Sequence, residues 1–438
     1  MIRVLDWRGE SLDPKRVFDR VPRVSAESSD VDTTVQTLID DVRSRGSEAL
    51  LDHAERFDRC RPDGLRTSQS AIDKAVAELD PELRVSIERA IAHVREGSAL
   101  QVPERKSVEV VLGGTVTQRW QPVERAGVYV PGGKAVYPSS VVMNVVAAET
   151  AGVAQIALAS PPQADFNGEI HPTILATAGL LGVTEVYRMG GASAIGALAY
   201  GVADMGLAPV SVITGPGNMF VAAAKRLVKG RVGIDSEAGP TEIVVIADHT
   251  ARADFVAADL ISQAEHDELA QSILITTSEE LAVDVQSAIS ERLSTTKHRK
   301  RVETSLAGVQ SAVIIVDSLN DAVVVSDELA PEHLEIMVED ADALAEKITH
   351  AGAIFLGDFT PVSAGDYLAG SNHVLPTSGQ AKFQAGLSAM TFLRPQQIVR
   401  YNEMALQDVG DDIVRFAEAE DLPAHGQAVT ARFHRSED

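Results

Sequence analysis

Cysteine is almost missing from this chain: Cys60 is the only one in 438 residues. An intrachain disulfide, a cysteine-cluster metal site and a CxxC redox motif are therefore excluded. A reducing, cytoplasmic setting fits. Aromatic residues make up only 4%, so the cores must be aliphatic. Positive charge is also scarce, with 39 Lys and Arg against 63 Asp and Glu and a formal net charge of −24. That balance repels phosphate backbones and anionic lipid, and no dense basic block overrides it, so neither nucleic acid nor membrane is expected as a partner. The most apolar long stretch, "VVMNVVAAETAGVAQIALA", holds Asn144, Glu149 and Gln155 and reads as a helix followed by a strand. The start, "MIRVLDWRGE", lacks an apolar signal core, so export is not indicated.

What is present is the ordinary balance of a globular protein, 45% hydrophobic and 23% charged, at a length that allows several domains. Residues 30–101 are helical in pattern: Val35, Leu38, Ile39 and Val42 repeat at helical spacing, and Asp80 followed by Pro81 marks a helix start. "VEVVLGGTVTQRWQPV" predicts a hairpin around Gly113 and Gly114. From Gly127 onward, short apolar runs alternate with helical segments, the signature of βαβ units and a mostly parallel sheet. The runs are "GVYV", "QIALA", "EVYRM", "VSVIT", "EIVVIA", "SILIT", "AVIIV", "HLEIMV" and "AIFLG". They are too many for one sheet of typical size, so two doubly wound units are expected, with a break near residues 233–242. Past Gly357 the pattern loosens into a loop-rich stretch and then a short helical tail.

Several segments could carry chemistry. In "DLISQAEHDELAQ", Asp259, Gln263 and His266 fall at i, i+4 and i+7 and project from one side of a helix; such faces usually just meet water. "GVYVPGG", "VYRMGGASAIG" and "VITGPGNMF" run from strand ends into Gly-rich turns, where helix N-termini and bare backbone N–H groups can meet a pyrophosphate. None spells GxGxxG, and tight turns alone would also account for these glycines. "ELAPEHLEIMV" sets Glu332 beside His333, a carboxylate and an imidazole able to activate water and shuttle protons. Neighbours on a strand face opposite ways, so both reach one pocket only within the irregular turn that Pro331 begins. Asp366 and His373 lie in the long Gly- and Ser-rich segment 364–388, and Glu420 and His425 in the tail.

Together these segments resemble the histidinol dehydrogenase family over nearly the whole chain. The most specific stretch is "GIDSEAGPTEIVVIADHTARADFVAADLISQAEHD", which is similar to a signature of I-D-x-x-A-G-P-[ST]-E followed by D-L-x-x-Q-x-E-H; "GVYVPGG", "GPGN", "APEHLE" and "SNHVLPT" follow the family's order. The resemblance implies an α/β fold of two doubly wound, incomplete Rossmann-like parallel-sheet domains with a helical N-terminal segment and a small C-terminal tail domain. It places an extension at 1–25, a first α/β domain at 26–126 with 239–385, a cofactor domain at 127–238, and a tail at 386–438 that crosses to the partner subunit. It implies zinc held by Gln263, His266, Asp366 and His425, which leaves Asp259 to stand behind the ligands or to cap, with no direct bond to the metal expected. Thr241, His333, His373 and Glu420 would surround the substrate together with the zinc ligands, and Tyr129, Ser193 and Asn218 the NAD. Two positions depart from the family pattern, where Gln is common at Ser193 and Ser at Thr241. Thr keeps the hydroxyl, whereas Ser193 is shorter and has no amide.

The implied reaction oxidises L-histidinol to L-histidine through a bound aldehyde, in two hydride transfers to NAD with one water consumed, in a homodimer with shared sites. His333 suits the role of base for the alcohol and Glu332 that of base for the water, as catalytic residues. Cys60, among charges and turn residues, makes a thiohemiacetal route a poor fit. Zinc, which is not redox-active, would anchor the substrate. A zinc hydrolase would leave the Gly-rich strand ends without a ligand. A non-catalytic ligand-binding protein would leave Gln263, His266, Glu332 and His333 unexplained.

Overall fold

The computed structural model describes residues 2–22, 29–132, 136–237 and 239–433. Its strands, in chain order, are β1 (Arg3–Asp6), β2 (Lys106–Val111), β3 (Gly114–Pro122), β4 (Arg125–Tyr129), β5 (Gln155–Ser160), β6 (Glu185–Arg188), β7 (Val212–Thr214), β8 (Gly233–Ile234), β9 (Glu242–Ala247), β10 (Gln271–Thr276), β11 (Ala312–Ile315), β12 (His333–Met337), β13 (Ala353–Leu356) and β14 (Leu393–Tyr401). All nine apolar runs are strands. With β8 and β1 added at the edges they form a five-stranded parallel sheet, ordered β6-β5-β4-β7-β8, and a six-stranded parallel sheet, ordered β1-β11-β10-β9-β12-β13. In each sheet the chain builds outward on one side and then returns to the other. The order reverses between β4 and β7 and again between β9 and β12, the doubly wound pattern.

Burial explains why the runs were legible. Every residue of β4, β10, β11 and β12 is buried, because helices cover both faces of a parallel sheet and leave no polar face to alternate. The strands that the pattern missed are of another kind. β1 is short, charged and largely exposed at the edge of the six-stranded sheet, β8 has two residues, and β14 is exposed along most of its length and contains Pro395.

The N-terminal helical segment forms as expected, with helices Ser29–Arg45, Ser47–His53, Gln69–Glu78 and Pro81–Ala99. Asp80 caps the last of these by accepting from Leu83 N–H, with Pro81 at its first position. The grouping by sequence set this segment beside residues 239–385. Its buried stripe, Val35, Leu38, Ile39 and Val42, packs instead with Ile195 and Leu198 over the five-stranded sheet.

The chain forms two compact units, residues 1–101 with 124–392, and residues 102–123 with 393–438. The first contains both parallel sheets. In the second, the expected hairpin β2–β3 is present, and β14 pairs antiparallel with β3 from Leu393–Pro122 to Tyr401–Gly114. Helices Glu403–Ala419 and Pro423–Thr430 follow. Among the described residues no helix is long and apolar enough to cross a membrane.

Candidate active site

Thr241, Glu332, His333 and Gln263 converge at the amino edge of the six-stranded sheet, beside the point where its order reverses between β9 and β12. Ala330, in the left-handed region at φ 48°, ends the preceding helix and creates the irregular turn that the sequence required. Glu332 therefore turns back toward β9, and its Oε2 accepts from Thr241 Oγ1 at 2.5 Å and from Glu242 N–H at 2.9 Å. The same oxygen lies 3.6 Å from His333 Nδ1. The adjacent pair thus shares one pocket.

His333 is buried and its Nδ1 lies 2.9 Å from the carbonyl oxygen of Glu242. A carbonyl only accepts, so Nδ1 carries the proton and Nε2 keeps a lone pair. That Nε2 is buried and has no hydrogen-bond partner. Burial holds the His333 pKa below its usual value, opposed by the Asp366 carboxylate. Burial also pushes Glu332 up to about 7, against the lowering effect of its bonds from Thr241 and Glu242. A neutral imidazole and a carboxyl poised near neutrality result.

Gln263 is buried near the end of helix Ala253–Ala264, and its Nε2 donates to Thr241 Oγ1 at 2.5 Å. Its carbonyl oxygen is the atom left to bind elsewhere. The helix stops two residues short of His266, contrary to the sequence expectation, because Asp267 accepts from Leu269 N–H through its own side chain and turns the chain toward β10. His266 N–H still bonds the main-chain carbonyl of Gln263 at 3.2 Å, which keeps the two residues together. Surrounding protein lowers the His266 pKa, with proximity to His333 adding to the effect.

Asp366 lies on the short helix Val362–Tyr367. Burial raises its carboxyl to about 6, with His333 lowering it and Glu332 raising it. His373 Nδ1–H donates to the Asp366 carbonyl at 2.9 Å, and its Nε2 meets Ser140 Oγ at 3.2 Å. Both ring nitrogens are engaged, and burial takes its pKa down to about 4. His373 thus holds the Asp366 segment to helix Pro138–Ala151, which follows β4.

The three residues expected at the cofactor gather at the carboxyl edge of the five-stranded sheet. Tyr129 ends β4, and its buried hydroxyl accepts from Gly191 N–H at 3.1 Å. Asn218 follows β7 and caps helix Met219–Val228 through bonds from Phe220 and Val221 N–H. Between them Gly215, at φ 120°, approaches β4 so closely that a Cβ would lie 1.9 Å from the Tyr129 carbonyl oxygen; only glycine fits. Ser193 is 3% exposed, and its hydroxyl lies 2.8 Å from His53 Nδ1, whose Nε2 is 3.1 Å from Asp41. This chain ties helix Gly191–Tyr200 to the N-terminal segment. The sequence reading named neither His53 nor Asp41.

It also passed over Lys225. This lysine is buried, is paired with Asp235, and donates to the Gly215 carbonyl at 2.6 Å, while Asp235 accepts from Gly215 N–H at 2.8 Å. The ion pair fixes the Gly-rich loop after β7. No local pattern marks a lysine in an otherwise amphipathic helix as buried. Cys60 is free, and burial, reinforced by Asp58, raises its thiol pKa, which disfavours a thiolate nucleophile.

Glu420 and His425 lie on the second compact unit, after helix Glu403–Ala419 and within helix Pro423–Thr430, and both are exposed. Among the described residues no group of three or more His, Cys, Asp and Glu converges to hold a metal ion. The expected ligand set places one amide, one imidazole and one carboxylate in the first unit and its second imidazole in the other.

Comparison with known proteins bears on the whole chain. The family profile described as histidinol dehydrogenase matches residues 21–433. The histidinol dehydrogenase of Leifsonia xyli subsp. xyli is 56% identical over 434 residues, covering 99% of each chain. That of Corynebacterium glutamicum is 54% identical over 433 residues, covering 99% of this chain and 98% of its own. The crystal structure of the enzyme from Elizabethkingia anophelis superposes with a TM-score of 0.93 at 34% identity, covering 99% of this chain and 98% of its own. The chain belongs to the histidinol dehydrogenase family.

Proposed function

We propose that this chain oxidises L-histidinol to L-histidine, the last step of histidine biosynthesis, using two NAD and one water, as a cytoplasmic, zinc-dependent homodimer. The observation that carries this reading is the pairing of two bases in one pocket, the free Nε2 lone pair of His333 beside a Glu332 carboxyl at about 7. Gln263, His266 and Asp366, with His425 contributed across the dimer, are the residues that would hold zinc. Their donor set of one amide oxygen, two imidazoles and one carboxylate suits the ion. Asp366, raised by burial to about 6, is a carboxyl that a cation would relieve. Bound zinc would supply a fixed anchor for the nitrogen donors of the substrate. NAD would accept a hydride in each half-reaction, held near Tyr129, Asn218 and Ser193 in the domain 127–238.

In the first half-reaction, His333 Nε2 takes the proton of the alcohol as the hydride leaves its carbon. Thr241 and His373 line the substrate position, and Glu420 from the neighbouring tail completes it. The aldehyde stays in place. Glu332 then removes a proton from the attacking water. Both bonds from Thr241 and Glu242 fall on Oε2, so Oε1 is the oxygen that faces the water. The hydrate loses its one remaining carbon-bound hydrogen as the second hydride of the reaction, sheds two protons, and leaves as the carboxylate.

For the dimer, the second unit leaves Phe416 72% and Leu112 73% exposed, apolar side chains that a partner subunit would cover. The test is formation of reduced nicotinamide from histidinol and NAD, before and after chelation and after zinc is added back. Absence of turnover with histidinol would overturn the reaction, and full turnover by protein shown to be zinc-free would overturn the metal.

A further inference from the structure

Glu335 has no part in the chemistry above, yet it is a carboxyl 1% exposed in the middle of β12. It lies two residues along from His333 and therefore on the same face of the sheet. Its surroundings on that face are aliphatic, including Val256, Leu260 and Met337. Oε1 accepts from Val362 N–H at 2.8 Å, at the first residue of the helix that carries Asp366. Oε2 has no N–H or hydroxyl donor. The Glu335 side chain hydrogen-bonds the carboxyl of Asp259, one turn before Gln263. Two carboxyl groups bond only when one of them keeps a proton. Burial raises both, Asp259 to about 6 and Glu335 well above the usual range, and Arg292 lowers Asp259.

The spacing gives the pair its significance. Gln263 and Asp366 each lie four helical residues beyond the contact, about 6 Å along their helices. His333 lies two strand residues away, roughly 6.6 Å. One buried contact thus ties together three elements at nearly the same distance from the layer of Gln263, His333 and Asp366.

We infer that Asp259 and Glu335 share one proton and act as a positioning pair that sets the spacing between the Gln263 helix, the His333 strand and the Asp366 helix. This rests on the zinc reading of Gln263 and Asp366. Stability alone is a poor reason to keep the pair, because burying the Glu335 acid beside a half-buried one is costly and apolar residues of like volume often serve as well.

The test is zinc affinity measured by chelator competition in the absence of substrate, alongside thermal unfolding of the same metal-free proteins. Glu335→Gln keeps both bonds, accepting from Val362 N–H and donating to Asp259, and should bind zinc within about threefold of wild type. Glu335→Leu should bind it about 10- to 100-fold more weakly, the usual cost of losing a group that orients a ligand. The double variant Asp259→Leu with Glu335→Met leaves no acid stranded; it should unfold at the wild-type temperature or above and still show the weakened zinc binding. Wild-type affinity in the double variant, or equal losses in Glu335→Gln and Glu335→Leu, would overturn the pair. If wild type itself takes up no zinc, the metal reading has failed, and the histidinol KM of the same variants decides: a rise confined to the Leu and double variants supports the pair, and an unchanged KM overturns it.

Discussion

Replacing Glu332 by Gln separates the two halves of the proposed reaction. The amide matches the carboxylate in shape, and its oxygen can take both bonds that now fall on Oε2, from Thr241 Oγ1 and Glu242 N–H. The pocket should therefore stay intact while the base is lost. A positioned general base contributes about 10²- to 10⁴-fold, which corresponds to roughly 3 to 5 kcal/mol of barrier. Oxidation of histidinaldehyde should slow by that factor, whereas the first hydride transfer from histidinol, which uses His333, should change far less. The pH profile adds a second reading. Glu332 works only when ionised, and burial holds it at about 7, so wild-type oxidation of the aldehyde should fall as pH drops through 7. In Glu332→Gln that limb should vanish along with most of the rate. Stopped-flow absorbance of reduced nicotinamide, started from alcohol or from aldehyde, measures both. Aldehyde oxidation at the wild-type rate, or an unaltered acid limb, would refute the assignment of the base.

Asn218→Ala removes the cap of helix Met219–Val228 and should raise the KM for NAD while leaving histidinol binding without NAD unchanged; an unchanged NAD KM would move the cofactor elsewhere. Lys225→Met strands the buried Asp235 and should cost about 3–5 kcal/mol in denaturant unfolding, most of it recovered when Asp235→Leu is added; a loss of under a kilocalorie would show that the pair does not secure the loop. Inactive Asp366→Ala and His425→Ala subunits, unfolded together and reassociated, should regain roughly a quarter of wild-type activity, because half the dimers are mixed and each has one intact site. No recovery despite proven subunit exchange would rule out the crossing tail.

What was legible depended on whether a residue's role is local. The nine strands announce themselves as apolar runs, and the cap at Asp80 as local hydrogen-bond chemistry. β14 did not, because LRPQQIVRY is exposed along most of its length and finds its partner β3 far upstream. Helical spacing placed Asp259 on the face of Gln263 but could not show that Glu335 waits opposite it. The same limit hid Lys225 with Asp235 and Asp41–His53–Ser193. In each case periodicity tells which side of an element is inward, whereas the identity of the buried polar partner is a property of the tertiary fold.

Apart from β1 at one edge, the six-stranded sheet repeats the strand order of the five-stranded one, yet the two gather candidate residues at opposite edges. The five-stranded sheet does so at its carboxyl edge, with Tyr129 and Asn218 flanking the reversal between β4 and β7, where ligands of open α/β sheets normally bind. The six-stranded sheet does so at its amino edge, where Thr241 precedes β9 and His333 opens β12. The connection explains the inversion. The chain leaves β8 at Ile234 and enters β9 at Glu242, so the carboxyl edge of one sheet runs directly into the amino edge of the other. Ser140 and His373 add a second link, binding the helix after β4 to the segment of Asp366. In the proposed reaction the substrate is held at one edge and the cofactor at the other, on separate frameworks. Reduced nicotinamide can then leave and a second NAD enter without disturbing the residues that hold the aldehyde, as two successive oxidations of one bound molecule require.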